Sequence, residues 1–185
     1  MMEKAEDGIR ILDIDAIAKD LYEKNTNIKV DLQKTFGSDI FDDKRNVLYG
    51  KLAEIVFSDQ IELSKLNRLM FPLIRREIKS MIKSDKVNDY IIIDAAVLFD
   101  AKLDLLCDFI VLVNTDESLR KTFLKNKNFD DNEIELRVEG QHIKINENRI
   151  DFRVINDGTI ENLKKKTLKI FKSVKKKNKN GKEEI

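Results

Sequence analysis

The sequence predicts an α/β fold built on a parallel sheet. Three observations carry that prediction. Short β-rich runs recur along the 185 residues; each is nearly continuous in apolar character, as strands covered on both faces read; and the intervals show apolar residues at spacings of three and four, the helical pattern. Strands alternating with helices imply right-handed crossovers over a sheet.

The first run, "GIRILDIDAIAKD" at residues 8–20, sets Ile9, Ile11, Leu12 and Ile14 around two acids, Asp13 and Asp15, and passes directly into a helical pattern. Helices are predicted over 15–25, 46–59 and 60–85. Pro72 lies inside the last, where proline costs about 3 kcal/mol, so two helices meeting near Met70 and Phe71, or one kinked helix, are expected. The helical stretch of about 15–85 is too long for one crossover and reads as a subdomain built on the sheet. Further strands fall at "YIIIDAAVLF" (90–99), "DFIVLVN" (108–114) and "DFRVIND" (151–157). Helical patterns at 116–129 and 130–143 follow the third strand, and "TIENLKKKTLKIFKSV" (159–174) closes the domain with Thr159 as its N-cap. Residues 1–174 read as one domain, and the lysine-rich residues 175–185, with nothing to bury, as a flexible solvated tail.

Composition excludes several function classes. Lysine and arginine total 35 against 34 acids, so a net charge of +1 offers no whole-protein field for nucleic acid or a membrane surface. No apolar stretch approaches the roughly 20 residues that span a bilayer, and "MMEKAEDG" resembles neither a signal nor a transit peptide; the reading is a cytoplasmic protein with no membrane or nucleic-acid partner. One cysteine, Cys107 in "LDLLCDFIVLV", reads as a small buried hydrophobe, and with a single histidine, His142, no protein-held metal site is expected. Oligomeric state is not legible.

In open parallel sheets, ligands gather beyond the carboxyl ends of the strands. There the sequence places Asp13 and Asp15 after the first strand, Asp94 within the second and Asp100 just past it, Asn114 and Asp116 after the third, and Asn156 and Asp157 after the fourth. With Arg75, Arg76, Lys125 and Arg137 on helices able to close over them, these acids suit phosphoryl transfer. A carboxylate accepts the proton of an attacking hydroxyl, and cations neutralise phosphate oxygens. Singly, each has a plainer role. Asp15 serves equally well as the cap of a helix beginning at Ala16, worth on the order of 1 kcal/mol. The four cations read as solvated helix charges and His142 as a surface histidine. Asp94, inside an apolar strand, is harder to dismiss, because an unpaired buried carboxylate is costly.

Several stretches then match one pattern in order. "ILDIDAIAKDL" is similar to V-I-D-A-D-x-I-A-R, "TFGSDIFDD" to F-G-x-x-I-L-D, and "KLAEIVFSD…LNRLMFPLIRREI" to K-L-x-x-I-V-F-x-D…L-x-x-I-x-H-P-x-V-R. "IIIDAAVLFDAKLDLLCDFIVLV" matches an apolar strand, P-L-L-F-E, G-L-D-x-L-x-D and the next strand in unbroken register. "LRVEGQ" is similar to R-I-x-x-Q and "IDFRVINDGTIENLKK" to A-D-x-V-I-x-N-x-G-S-x-E-x-L. From Gly8 to about Val174 the chain therefore resembles the dephospho-coenzyme A kinases, P-loop kinases that phosphorylate the 3'-hydroxyl of dephospho-coenzyme A.

The resemblance implies a P-loop kinase-like three-layer fold with a parallel sheet of order 2-3-1-4-5, a helical coenzyme A subdomain over about 15–85 and a helical lid over about 117–148. It implies dephospho-CoA as acceptor and ATP with Mg²⁺ as co-substrate. Asp15 falls on the general base and Asp13 on its neighbour, supporting the site or a magnesium ion. Arg75 falls on an acceptor contact, Leu98, Phe99 and Asp100 on the acceptor pocket, Lys121, Lys125 and Arg137 on the lid side that meets ATP phosphates, and Asn156 near the adenine. Phe71 stands where the family has His, Ala96 where it has Pro, and Lys19 where it has Arg; Lys121 and Lys125 keep the lid's charge without the bidentate fork of arginine.

The largest departure is that no G-x-x-x-x-G-K-[ST] occurs in the chain. Backbone N–H groups of that loop cradle phosphates, its Lys reaches the β and γ oxygens, and its hydroxyl holds Mg²⁺. In the family it precedes the D-x-D strand, so about twenty to thirty residues of a strand-and-helix unit are expected to be lacking ahead of Gly8. The missing strand is then the central one, and the strands near 90–96 and 109–113 are expected to expose unpaired edges. A catalytically inactive coenzyme A-binding module, or another small-molecule kinase, are the other readings at this stage; the motifs around Phe71 and Leu98 speak against the latter.

Overall fold

Gly8 holds φ +74°, a region glycine enters freely, and its carbonyl accepts from the N–H groups of Asp89 (2.8 Å) and Tyr90 (3.0 Å). From that point β1 (Ile9–Asp13) runs parallel to β2 (Tyr90–Asp94), in register from Ile9 with Tyr90 to Asp13 with Asp94. The computed structural model describes residues 8–126, 134 and 144–180, and the chain divides into two compact units, the first ending at Leu106 and the second beginning at Cys107.

In the first unit, α1 (Ile14–Lys24) starts on Asp13, whose Oδ1 accepts the Ala16 N–H at 3.1 Å. The cap is thus Asp13 rather than Asp15. A helix not separately predicted follows, α2 (Thr26–Phe36), capped by the Asn25 side chain on the N–H groups of Asn27 and Ile28. Ile28, Leu32 and Phe36, spaced four apart, turn one face of it to the core. Residues 37–48 then depart from the expected all-helical stretch. Gly37 at φ +88° ends α2, and Phe41 and Val47 bridge around a turn in which Asp42 accepts from Lys44 and Asn46; these bonds, those from Asn46 first, hold its carboxyl below the ordinary range. The next helix, α3 (Tyr49–Ser58), therefore begins at Tyr49 and not at residue 46.

Asp59 caps α4 (Gln60–Ser84), which runs through Pro72 as one helix. Pro72 costs the carbonyl of Arg68 its helical donor, but both residues are exposed, so water takes the donor's place, while Met70, Ile74 and Ile78 on the buried side stay in the core. Replacing Pro72 by Ala is expected to raise unfolding free energy by about 2 kcal/mol, the helix gain less the added freedom of the unfolded chain, measurable by urea titration.

The link from α4 to β2 is fixed by Asp85. Its carboxylate accepts from the N–H groups of Val87 and Asn88, from the Asn88 amide, and from Arg10 at 3.1 Å, with only 4% of its side chain exposed. These bonds, the Asn88 backbone N–H first, hold the carboxyl well below the carboxylate range. Because the folded state lowers the pKa, the stabilisation is present above the unfolded value of about 4 and is lost as pH falls through the folded one. Asp85→Asn is therefore expected to lower the Tm by several degrees at pH 7, with the gap from the parent chain narrowing as the pH drops below about 4.

In the second unit, β3 (Val111–Thr115) pairs parallel with β4 (Phe152–Asn156), from Val111 with Phe152 to Thr115 with Asn156. Asp116 caps α5 (Glu117–Lys125), which lies within the predicted 116–129 helix. The helical pattern at 130–143, with Arg137 and His142, lies outside the described residues. The last helix, α6 (Ile160–Asn180), packs on β4 and continues to Asn180, beyond the expected end at Val174. Lys177 accounts for part of that extension, since its Nζ lies 5.1 Å from the Phe152 ring centre and 5.5 Å from that of Phe109.

Two separate parallel pairs are what the described residues form. The apolar runs are correspondingly less covered than their composition implied. Ile11 and its register partner Ile92 are 58% and 45% exposed, and Val113 and Ile155 are more than half exposed. Cys107 is half-buried rather than buried. Among the described residues, no helix is long and apolar enough to cross a membrane.

Candidate active site

The carboxyl end of the β1–β2 pair brings three acids to one edge. Asp13 and Asp94 end their strands as register partners, and Asp15 follows in the first turn of α1, where a helix end favours an acid. All three are exposed, so the sequence-based picture of Asp94 as a carboxylate inside an apolar strand is corrected: it is the strand's last residue, at the solvent edge. One oxygen of Asp13 is taken by the Ala16 N–H. The carboxylates of Asp15 and Asp94 have no hydrogen-bond or ion-pair partner among the described residues.

Asp116 and Asp157, at the ends of β3 and β4, are committed instead. Asp116 accepts from the Ser118 hydroxyl (2.7 Å) and N–H (2.9 Å), bonds that lower its pKa in that order, and Asp157 is lowered first by its bond with Lys166 at 2.8 Å. A carboxylate already accepting from protein donors is poorly placed to take a proton from a substrate. The uncommitted strand-end acids, Asp15 and Asp94, lie in the first unit.

The loop after β2 carries the next group. Ala101 N–H donates to the Val97 carbonyl (2.9 Å), Lys102 N–H to that of Phe99 (3.0 Å) and Leu103 N–H to that of Leu98 (2.8 Å), with Ala101 and Leu103 fully buried as anchors. Leu98 and Phe99 are half-buried and Asp100 is exposed. Arg75, from the middle of α4, donates its Nε–H to the Ala101 carbonyl at 3.1 Å. This bond ties Arg75, the expected acceptor contact, to the loop that carries Leu98, Phe99 and Asp100, the expected acceptor pocket. Arg75 shares one face of α4 with Pro72, Arg76 and Lys79. Lys79 was not singled out by sequence, although its spacing of four from Arg75 and three from Arg76 is a legible signal.

The residues expected on the ATP side belong to the second unit. Asn156 ends β4, and its Oδ1 accepts the Gly158 N–H (3.1 Å) to shape a turn in which Gly158 holds φ +93°. Lys121 on α5 is paired with Glu117 at 2.9 Å, and Lys125 lies exposed in that helix's last turn. Arg137 lies outside the described residues. No group of three or more His, Cys, Asp or Glu able to hold a metal ion occurs among the described residues.

Comparison with known proteins places this geometry in a family. A family profile described as dephospho-CoA kinase matches residues 3–162. The dephospho-CoA kinase of Lactobacillus johnsonii is 31% identical over 170 residues, covering 90% of this chain and 86% of that protein. That of Fusobacterium nucleatum subsp. nucleatum is 31% identical over 173 residues, covering 92% and 88%. Among solved structures, the TT1252 crystal structure from Thermus thermophilus is similar with a TM-score of 0.71 at 22% identity, over 90% of this chain and 84% of that one. The dephospho-CoA kinase from Campylobacter jejuni follows at 0.57 and 20%, over 92% and 87%. The fold is that of the P-loop kinases, and the chain belongs to the dephospho-CoA kinase family.

Proposed function

We propose that the chain acts in the cytoplasm as a dephospho-CoA kinase, moving the γ-phosphoryl group of ATP to the 3'-hydroxyl of dephospho-CoA. The observation that carries this reading is the uncommitted carboxylate of Asp15 beside Asp13 and Asp94, at the strand ends of a chain in this family. The 3'-hydroxyl gives its proton to an Asp15 oxygen as its own oxygen attacks the γ-phosphorus in line, and ADP departs with the bridging oxygen. Asp13, held through its bond to Ala16, fixes the start of α1 and with it the position of Asp15. Arg75 with Leu98, Phe99 and Asp100 receives the acceptor, Lys121, Lys125 and Arg137 meet ATP phosphates, and Asn156 lies near the adenine. Mg²⁺ enters with ATP and neutralises phosphate charge.

None of the 185 residues supplies a G-x-x-x-x-G-K-[ST] cradle for those phosphates. The test therefore has two parts. Calorimetry should detect dephospho-CoA binding to the 185-residue chain. With a strand–P-loop–helix unit joined ahead of Met1, ADP should form when dephospho-CoA is added; equal ADP formation with a nucleoside monophosphate as acceptor would sink the assignment.

A further inference from the structure

Among the described residues, some helical cations pair with an acid one turn away: Lys24 with Asp20, Lys65 with Glu62 at 2.6 Å, Lys121 with Glu117 at 2.9 Å. The α4 face that carries Arg75 has no such acid. Positions three and four residues from Arg76 hold Pro72, Leu73, Lys79 and Ser80; those around Lys79 hold Arg75, Arg76, Ile82 and Lys83. No acid stands among them, and Glu77 reaches only Leu73, Ile74, Ser80 and Met81 at those spacings. Like charges so spaced repel, so the face is destabilised until an anion joins it. Neither Arg76 nor Lys79 has an ion pair among the described residues, and Arg75, with Nε bound to the Ala101 carbonyl, keeps its Nη donors without a partner there. The three side chains share one face of α4 with exposed Pro72.

We propose that Arg75, Arg76 and Lys79 form an anion subsite for the diphosphate of the acceptor, with Arg76 and Lys79 setting the preference for diphosphate-bearing molecules. This rests on the dephospho-CoA reading, because the diphosphate is that molecule's only anionic group. The bond from Arg75 to the loop after β2 ties the subsite to Leu98, Phe99 and Asp100, and β2 itself ends beside Asp13. An anchored guanidinium gives a directed fork, and the two exposed cations add charge at little geometric cost.

The test titrates the 185-residue chain with dephospho-CoA and, separately, with inorganic pyrophosphate by calorimetry, with circular dichroism confirming that variants fold as the parent does. The Arg76→Ala/Lys79→Ala double variant is expected to bind both ligands about tenfold more weakly, the charge-keeping Arg76→Lys/Lys79→Arg variant within about threefold of the parent, and added salt to weaken the parent more than the double alanine variant. Equal affinity of parent and double alanine variant for both ligands, or no pyrophosphate binding by the parent, overturns the subsite. Pyrophosphate binding that the variant loses, with no dephospho-CoA binding by the parent, supports the subsite and overturns the acceptor assignment instead.

Discussion

Asp15→Asn is expected to lower kcat for dephospho-CoA phosphorylation by about 10²–10⁴-fold in the P-loop-bearing form, while leaving dephospho-CoA affinity within about twofold. The amide matches the carboxylate in size but cannot take the proton that the 3'-hydroxyl must lose. The structure makes this variant a clean one. Because Asp13 and not Asp15 caps α1, Asp15→Asn removes no protein hydrogen bond among the described residues. Asp13→Ala provides the contrast: losing the cap costs about 1 kcal/mol of stability and loosens the first turn of α1, so Tm and kcat should fall together. Asp13→Asn, which caps about as well as Asp, should restore the Tm. Steady-state kinetics and thermal melts on the three variants decide the matter: an Asp15→Asn protein of full activity would remove Asp15 from the base role.

The two possible roles of Asp15 could not be separated in the sequence, because a cap and a base require the same residue type and the helix boundary was uncertain by two residues. The Ala16 N–H, donated to Asp13 Oδ1, gives the cap to Asp13 and leaves Asp15 without that role. Strand positions were legible because β-branched runs such as "IIID" and "FIVLV" leave few alternatives, and Arg75 and Leu98–Asp100 were singled out because they fall in motifs. That an Nε–H bond to Ala101 joins them was not, since 26 residues separate the partners. Residues 37–48 depart from the expected all-helical stretch because the Asp42 turn and Gly37 dictate a bridge there. Pro72 misled in the other direction: a proline on the solvent face of a long amphipathic helix is offset by Met70, Ile74 and Ile78 on the other.

The 185-residue chain by itself should form ADP at least about 10³-fold more slowly than the same chain with a strand–P-loop–helix unit joined ahead of Met1, yet bind dephospho-CoA with similar affinity. The argument is electrostatic. Phosphoryl transfer offers the protein little covalent chemistry, so its rate depends on donors fixed around the phosphates, and removing even one such donor costs on the order of 10²–10³. The described cations do not replace a cradle of backbone N–H groups. Lys121 and Lys125 are side chains on α5 and supply point charges rather than converging backbone donors, Arg75 is proposed for the acceptor, and the uncommitted groups at the β1–β2 edge are acids, which repel ATP. The residues proposed to receive the acceptor, by contrast, lie wholly within the first unit, so acceptor affinity should not depend on the added segment. The joined strand should also leave a physical trace. β2 has β1 as its one strand neighbour among the described residues, and Ile92 is 45% exposed. A parallel strand added along the open edge of β2 would pair backbone groups now left to water, so amide exchange should slow on the edge of β2 away from β1. ADP formation at equal rates with and without the unit would show that phosphate binding arises from the chain's own cations, and would leave the missing cradle without consequence.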